Sequence, residues 1–398
     1  VTGSASERAT DALPEDWRDA LLVGRLLTVE GPTPILIRGG RVYDVSEAAP
    51  TVSELLNGWA GTPPTGRDLG PVDDLPWTPA WARSTDTPRL LAPTDLQSVK
   101  AAGVTFAVSA VERVIEERAR GDAETAKGIR DALHDRVGAD VRSVKPGSEN
   151  AARLKAALIA DGLWSQYLEV AIGPHAEIFT KAQPLSAVGW GELCGVRSDS
   201  DWNNPEPEVV LACDKRGRIL GAALGNDVNL RDFEGRSALL LGEAKDNNAS
   251  CAIGPFVRLF DGGFGLDDVR RAVVSLTVEG PDGFRMEGSS AMNQISRDPT
   301  ELVGQTIGGH HQYPDGFVLF LGTLFAPTQD RGAPGRGFTH QTGDLVRVSS
   351  PRLGTLLNRV ASCEAAPPWT FGLADLMRNL AGRGLIGRKT SATRGAAA

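Results

Sequence analysis

The sequence predicts an α+β protein dominated by short strands. Two observations carry that reading. Forty-six Gly and 25 Pro in 398 residues require many tight turns, which a helical bundle does not need. Helical patterns also give way, after Tyr167, to short apolar runs separated by Gly, Asp and Pro, the texture of strands and turns. The chain is long enough for two or three domains. Its 41% hydrophobic and 23% charged residues are the balance of a folded chain, not of a disordered one.

In chain order, residues 1–18 read as a frayed end running into a short helix over PEDWRDALL. TPILIRGGRVYDV reads as strand, turn, strand, with Gly39-Gly40 supplying the two positive φ angles of a tight hairpin. TVSELLNGW is a short helix. Residues 59–90, rich in Pro, Gly, Asp and Thr, read as a linker lying on the next domain, so 1–90 forms a small N-terminal domain with its linker. Residues 91–385 form the main domain. VKAAGVTFAVS is a strand, and SAVERVIEERARG a helix with Ser109, Glu112 and Glu116 along one face. Further helices are expected over 124–136 and ENAARLKAALIADGLW. LEVAIG, EIFTKA, EVVLAC, ILGAALG, AVVSLTVEG, FVLFLG and LVRVSS are the expected strands. Residues 386–398 are a flexible basic tail.

Composition excludes several classes. A net charge of −8 gives no basic footprint for nucleic acid. No apolar run approaches the roughly 18 residues of a membrane span, and the polar, acidic first 30 residues do not read as a signal peptide. Cys194, Cys213, Cys251 and Cys363 are scattered without a CxxC pair, which fits a reducing cytoplasm and no zinc module.

The informative stretch is NNPEPEVVLACDKRGRILGAALGNDVNLRD. Glu206 and Glu208, two apart on a strand, share a face. If 215–218 form the turn, Asp214 pairs with Ile219, and counting back sets Glu206 opposite Asp227. Opposed Cβ atoms lie about 4.5–5.5 Å apart, so three carboxylates meet on one face. Partly buried, they require protonation or a cation. A hard divalent ion suits them, with positions left over for a keto acid's oxygens. A lone ExE is common on solvated strands, and a slip of one residue would turn Asp227 away.

PEPEVVLACD…GNDVNLRD…AK…GPFVRLFD…FLGT…TGDLVRV…GTLLNRV resembles the fumarylacetoacetate hydrolase superfamily, over residues 15 to 386. That resemblance implies a mixed β-sandwich roll catalytic domain with a small N-terminal α/β domain. It implies Mg²⁺, or Mn²⁺ or Ca²⁺, on Glu206, Glu208 and Asp227. Lys245 matches the family's substrate-facing lysine and Thr323 the threonine that holds the substrate carboxylate. The hydrolases carry N-Y-x-x-H-x-x-E after the first core strand, and its His–Glu dyad activates water. Here the run is TFAVSAVE: Glu112 keeps the Glu, but Ser109 replaces the His. Serine has no pKa near neutrality and cannot act as that base, so hydrolysis is disfavoured.

A second set of segments, from LLAPTDLQSVKAAGVTFAVSAVERVIEERARGD to HQYPDGFVLFLGT, resembles the branch that dehydrates 2-keto-3-deoxy-pentonates. The implied reaction takes 2-keto-3-deoxy-D-xylonate, the same compound as 2-keto-3-deoxy-D-arabinonate, to 2-oxoglutarate semialdehyde in oxidative pentose catabolism. Lys245 and Glu112 are the candidates for proton transfer, Lys245 as a base with a lowered pKa or in the opposite role. Ser109, Lys181, Arg231, His311 and Thr323 are the candidates for substrate binding. Lys181 either lines the pocket or is a surface strand charge, and Glu116 reads as a solvated helix charge. His134 and His175 read as surface residues and His340 as structural. His311, ahead of His310, sits in a loop that could close on substrate. The alternatives are an acylpyruvate-type C–C hydrolase or a decarboxylase, and, of another class, a non-catalytic metal or sugar-acid binding protein. The expected partner is a small sugar acid, with neither nucleic acid nor membrane. The resemblance also implies a homo-oligomer, a tetramer or a dimer.

Overall fold

A computed structural model of the chain describes residues 9–75, 77–82, 88–129, 141–142, 144–324, 327, 329–332 and 337–386. His134, the second half of the helix expected over 124–136, and the basic tail beyond 386 lie outside them. Among the described residues the strands form an eleven-stranded sheet, a five-stranded sheet and a two-stranded pair. The two large sheets pack face to face through one apolar layer. Val209, Leu211 and Leu224 from the larger sheet meet Leu276, Val348 and Leu356 from the smaller. The opposite face of the large sheet carries Val210, Ala223 and Val257, over which the helix Val52–Asn57 lays Val52, Leu55 and Leu56. This is the mixed sandwich that the alternating strand patterns imply.

The helices Ala107–Arg118, Glu149–Ala160 and Gln166–Ile172 form a third apolar cluster, with Ala110, Val114, Leu158 and Leu168 inside it. Ser148 and Ser165 cap the last two by accepting hydrogen bonds from the backbone N–H groups of Ala151 and Tyr167.

Three local expectations need correction. LEVAIG belongs to the helix Gln166–Ile172, because the Ser165 cap starts a helix that buries Tyr167, Leu168, Ala171 and Ile172 at helical spacing. Leu22, expected to end a helix, begins the strand Leu22–Thr28. That strand is held on one side by Gly31–Arg38 and on the other by Cys251–Leu259. The segment 59–90 is not all linker: Arg67–Pro71 extends the sheet edge and Arg89–Leu91 pairs with Leu22–Thr28. The N-terminal strands are therefore part of the same sheet as the strands that carry the acids. The Gly39-Gly40 hairpin forms as expected, with φ of 55° and 76°. No helix among the described residues is long and apolar enough to cross a membrane.

Candidate active site

The acids are placed by a hairpin. Pro207–Cys213 and Ile219–Asp227 pair antiparallel, with Pro207 opposite Asn226 and Glu208 opposite Gly225. One step further, the Asp227 N–H donates to the Glu206 carbonyl at 2.9 Å. The register slips once, at Ala212/Cys213 beside the turn, where Cys213 faces Ile219. The slip is confined to the turn end, so the acid end keeps the register counted from the sequence. Glu206, Glu208 and Asp227 are buried, and each offers an oxygen within 4.8 Å of the other two.

Other elements close around this face. Glu177, Phe179 and Lys181 alternate along the strand Glu177–Ala182 and so point the same way. Lys181 is fully buried, its Nζ 3.0 Å from Asp227 Oδ1. Lys245 ends the helix Leu241–Lys245 and reaches Glu206 Oε2 at 2.5 Å and Asp227 Oδ2 at 3.1 Å. Past the strand Phe317–Phe320, the Gly322 N–H donates to Glu208 Oε2 at 2.7 Å. Gly322 needs to be glycine, since its φ is +99° and a Cβ would fall 1.9 Å from Thr105 Oγ1. The next residue, Thr323, lines the cavity. The helix Ala107–Arg118 adds Ser109 and Arg113, one turn apart. Arg113 bridges Glu206, Glu116 and Glu234, the last at 3.0 Å. The space enclosed is about 20 Å³, enough for one small body such as a water or an ion.

Glu177, Glu206, Glu208, Asp227 and Glu234 face the cavity, against Arg113 and Lys245. Burial, then the charges of Asp227 and Glu206, push the Glu208 carboxyl well above its usual range. Burial also acts to raise Asp227, but Lys181 and Lys245 outweigh it and hold that carboxyl low. For Lys245, burial works downward, yet Asp227 and Glu206 prevail and its pKa is raised. The lowered lysine expected from the sequence is therefore corrected, because two carboxylates hold the ammonium. Burial, reinforced by Glu234, lifts Glu177 to about 7. Three buried oxygen donors, one driven towards its neutral form by burial and by the other two, are a set that a divalent cation satisfies. The triad can therefore bind a metal ion.

No protein-family model matches the chain. Two curated relatives do. One is the 2-dehydro-3-deoxy-D-arabinonate dehydratase of Saccharolobus solfataricus, 33% identical over 197 residues, 49% of this chain and 61% of that one. The other is the probable 2-keto-3-deoxyxylonate dehydratase of Haloferax volcanii, 33% identical over 196 residues, 49% and 64% respectively. The chain thus matches less than two thirds of either relative's length. Among solved structures, a 2-keto-3-deoxy-D-arabinonate dehydratase complexed with magnesium and 2,5-dioxopentanoate superposes with a TM-score of 0.60. It is 22% identical, and the match spans 86% of this chain and 99% of that one. A fumarylacetoacetate hydrolase from Exiguobacterium antarcticum superposes at 0.53, with 18% identity over 86% and 100%. The chain has the fumarylacetoacetate-hydrolase fold.

On that fold, the structure brings Ser109, Lys245 and Thr323 to the carboxylate triad. Ser109 Oγ donates to the Phe106 carbonyl at 2.8 Å. Lys181 is no surface charge, but it backs Asp227 and is not among the lining residues. Glu112 is buried on the same helix without lining the cavity, where its neighbour Arg113 points instead. Glu116 is not solvated. It is 1% exposed and ion-paired with Arg113 and with Arg231, the latter at 3.2 Å. Arg231 is spent there and on the Pro327 carbonyl, so it serves as Glu116's counter-charge outside the cavity. His310 and His311 are exposed, with His311 packed edge-on against Tyr313 at 4.6 Å. Their turn precedes the strand Phe317–Phe320, whereas Thr323 follows it, and neither His is among the residues lining the cavity. His175 is exposed, and His340 is buried 3.2 Å from Asp344, as expected of surface and structural residues. The sequence reading missed Arg113, Glu177 and Glu234. Only Glu177 carried a usable signal, its alternation with Lys181 in EIFTK.

Proposed function

We propose that the protein is a Mg²⁺-dependent hydro-lyase that dehydrates 2-keto-3-deoxy-D-xylonate, equally named 2-keto-3-deoxy-D-arabinonate, to 2-oxoglutarate semialdehyde. The observation that carries the reading is the buried triad of Glu206, Glu208 and Asp227 with Lys245 against it and Glu177, near neutrality, beside it. The names of the two curated relatives support the same substrate class. Glu206, Glu208 and Asp227 would hold Mg²⁺, with Mn²⁺ or Ca²⁺ able to occupy the same oxygen set. Bound there, the cation supplies Lewis-acid polarisation of the keto acid.

The chain's own groups do the rest. Glu177, with a pKa of about 7, takes a C3 proton at physiological pH. The Lys245 ammonium, held charged by its carboxylate neighbours, donates a proton to the departing C4 hydroxyl. Transfer of a C5 proton to C3 then converts the enone to an enol, which tautomerises to the aldehyde as its C5 hydroxyl proton is lost and C4 is protonated. Thr323 binds the substrate carboxylate, and Ser109 packs the far wall. Arg113 fixes the Glu206 carboxylate, and Lys181 fixes Asp227. Glu112, expected to share the proton transfer, is replaced in that role by Glu177, which lines the cavity.

An acylpyruvate hydrolase on the same platform is the second reading. It needs a base to activate water, and no His is among the lining residues at the position Ser109 holds. The deciding experiment incubates the protein with 2-keto-3-deoxy-D-xylonate and Mg²⁺ and detects the semialdehyde by coupled oxidation. Semialdehyde is expected; cleavage of an acylpyruvate with no semialdehyde would overturn the dehydratase reading. A homo-oligomer, tetramer or dimer, is supported by the C-terminal helix Leu373–Gly382, which leaves Leu373 49% and Met377 63% exposed. Four free thiols support a cytoplasmic setting.

A further inference from the structure

A second cavity, about 220 Å³, shares no lining residue with the carboxylate site. Two arginines, Arg25 and Arg89, line it. Arg25 comes from the middle of the strand Leu22–Thr28 and is 6% exposed. Its Nη1 donates to the Thr94 carbonyl, its Nε has no hydrogen-bond partner, and no carboxylate lies within 4 Å of it among the described residues. The nearby Asp95 is already committed to the backbone N–H groups of Val52, Ser53 and Leu96, at 2.6, 3.0 and 2.7 Å. Arg89 also lines the cavity and likewise buries an Nε with no hydrogen-bond partner, while its Nη1 stands 3.6 Å from Glu192 Oε1. Burial pulls the Arg25 pKa down; the charge of Asp95 opposes this without reversing it, and that of Arg89 adds to it. A buried guanidinium held this way is unfavourable without an anion beside it.

The remaining wall is largely apolar and firmly built. Trp369 and Phe371 contribute rings, and the Trp369 indole N–H is satisfied by the Phe371 carbonyl at 2.9 Å. Asn248 ties this wall to the body of the protein. Its amide donates to the carbonyls of Cys363 and Pro367, at 3.0 and 3.2 Å, and accepts from the Trp369 N–H at 3.2 Å.

We propose that this cavity is a binding site for a small organic monoanion, a carboxylate on a flat apolar body. Guanidinium forks match a carboxylate. Glu192 and the nearby Asp95 already offset much of the charge of the two arginines, which favours a monoanion over a phosphate dianion. The volume falls below the roughly 300 Å³ at which drug-sized pockets begin, so a nucleotide does not fit. Aromatic and proline walls complement a ring better than a sugar acid's hydroxyls.

Benzoate is the probe, with benzamide as its neutral isostere and inorganic phosphate as the bare anion. Binding to the full-length protein is measured by calorimetry and by saturation-transfer NMR. One benzoate site is expected, at least tenfold tighter than benzamide and than phosphate. It is lost at least tenfold in Arg89→Gln and kept in Glu206→Gln, which lies in the other cavity. Arg25→Gln is expected to lose it too; if that variant does not fold, Arg89→Gln decides. Benzoate binding no tighter than benzamide, binding unchanged in Arg89→Gln, or binding lost in Glu206→Gln would each overturn the assignment.

Discussion

Gly103 and Glu177 face each other across an antiparallel strand pair, so closely that a Cβ on residue 103 would fall 1.9 Å from Glu177 Oε2. The glycine is what lets that carboxylate lie over the strand and reach the cavity. Gly103→Ala must therefore push Glu177 aside while leaving the strand itself intact. A displacement of this order costs about 10²-fold in turnover, with little change in melting temperature. Turnover equal to that of the parent would show that Glu177 need not occupy this position.

Glu177 also sets a pH expectation. Its pKa, raised to about 7 by burial and Glu234, leaves it protonated and inactive as a base in acid. kcat/KM should rise with pH up to about 7 and then level. Glu177→Gln should remove that limb and lower kcat by about 10²–10⁴-fold. The sign for stability is opposite. An acid whose folded pKa lies above its unfolded value disfavours the folded state as pH climbs from the unfolded to the folded pKa. Glu177→Gln should therefore flatten the stability profile over that interval, as pH-dependent denaturant melts would report.

Metal binding is expected to show the same logic at Glu208. Because burial, Asp227 and Glu206 raise its pKa, a proton competes with the cation, and Mg²⁺ affinity should weaken as pH falls. Rigorous chelation should abolish turnover, and Mg²⁺ should restore it. A readout independent of activity is thermal stability. Mg²⁺ at 100 times its Kd should add about 2.7 kcal/mol to the parent and nothing to Glu206→Gln. Equal stabilisation of both would remove the triad as the binding site.

The parts of this site visible in the sequence are those fixed by local pairing. Glu206, Glu208 and Asp227 belong to one hairpin, so counting residues through a short turn placed them together, and the bulge at Cys213 did not matter. Glu112 and Arg113 show the limit. They are neighbours on one helix, and only packing against Glu206 and Glu234 decides which one enters the cavity. Arg231 illustrates the same point from the other side. A cation four residues after Asp227 looked available for substrate, but its charge is consumed by Glu116, a residue 115 positions earlier whose burial no local pattern announced. The helix Gln166–Ile172 was misread because seven apolar-rich residues fit either period until the Ser165 cap is recognised.

Arg113 holds three carboxylates together, so its removal should be felt as instability before it is felt as chemistry. Arg113→Gln leaves Glu116, Glu206 and Glu234 without their shared cation. Breaking a buried ion pair from one side costs about 3–5 kcal/mol. Denaturant unfolding measures this directly, and a loss below about 1 kcal/mol would mean that the network behaves like an exposed one.

Lys245 separates binding from turnover. Its ammonium lies against Glu206 and Asp227, two members of the proposed metal set. In Lys245→Ala the carboxylates remain, and a competing positive charge is gone. Mg²⁺ affinity should therefore be kept or increased, while turnover falls by about 10²–10⁴-fold for want of the proton donor. Stability adds a third reading. Without Lys245 the buried acids repel each other, so the variant should melt below the parent in EDTA and recover most of the difference in Mg²⁺. Lost turnover together with lost Mg²⁺ binding would make Lys245 a support for the triad, not a participant in the reaction. Normal turnover would end its role altogether.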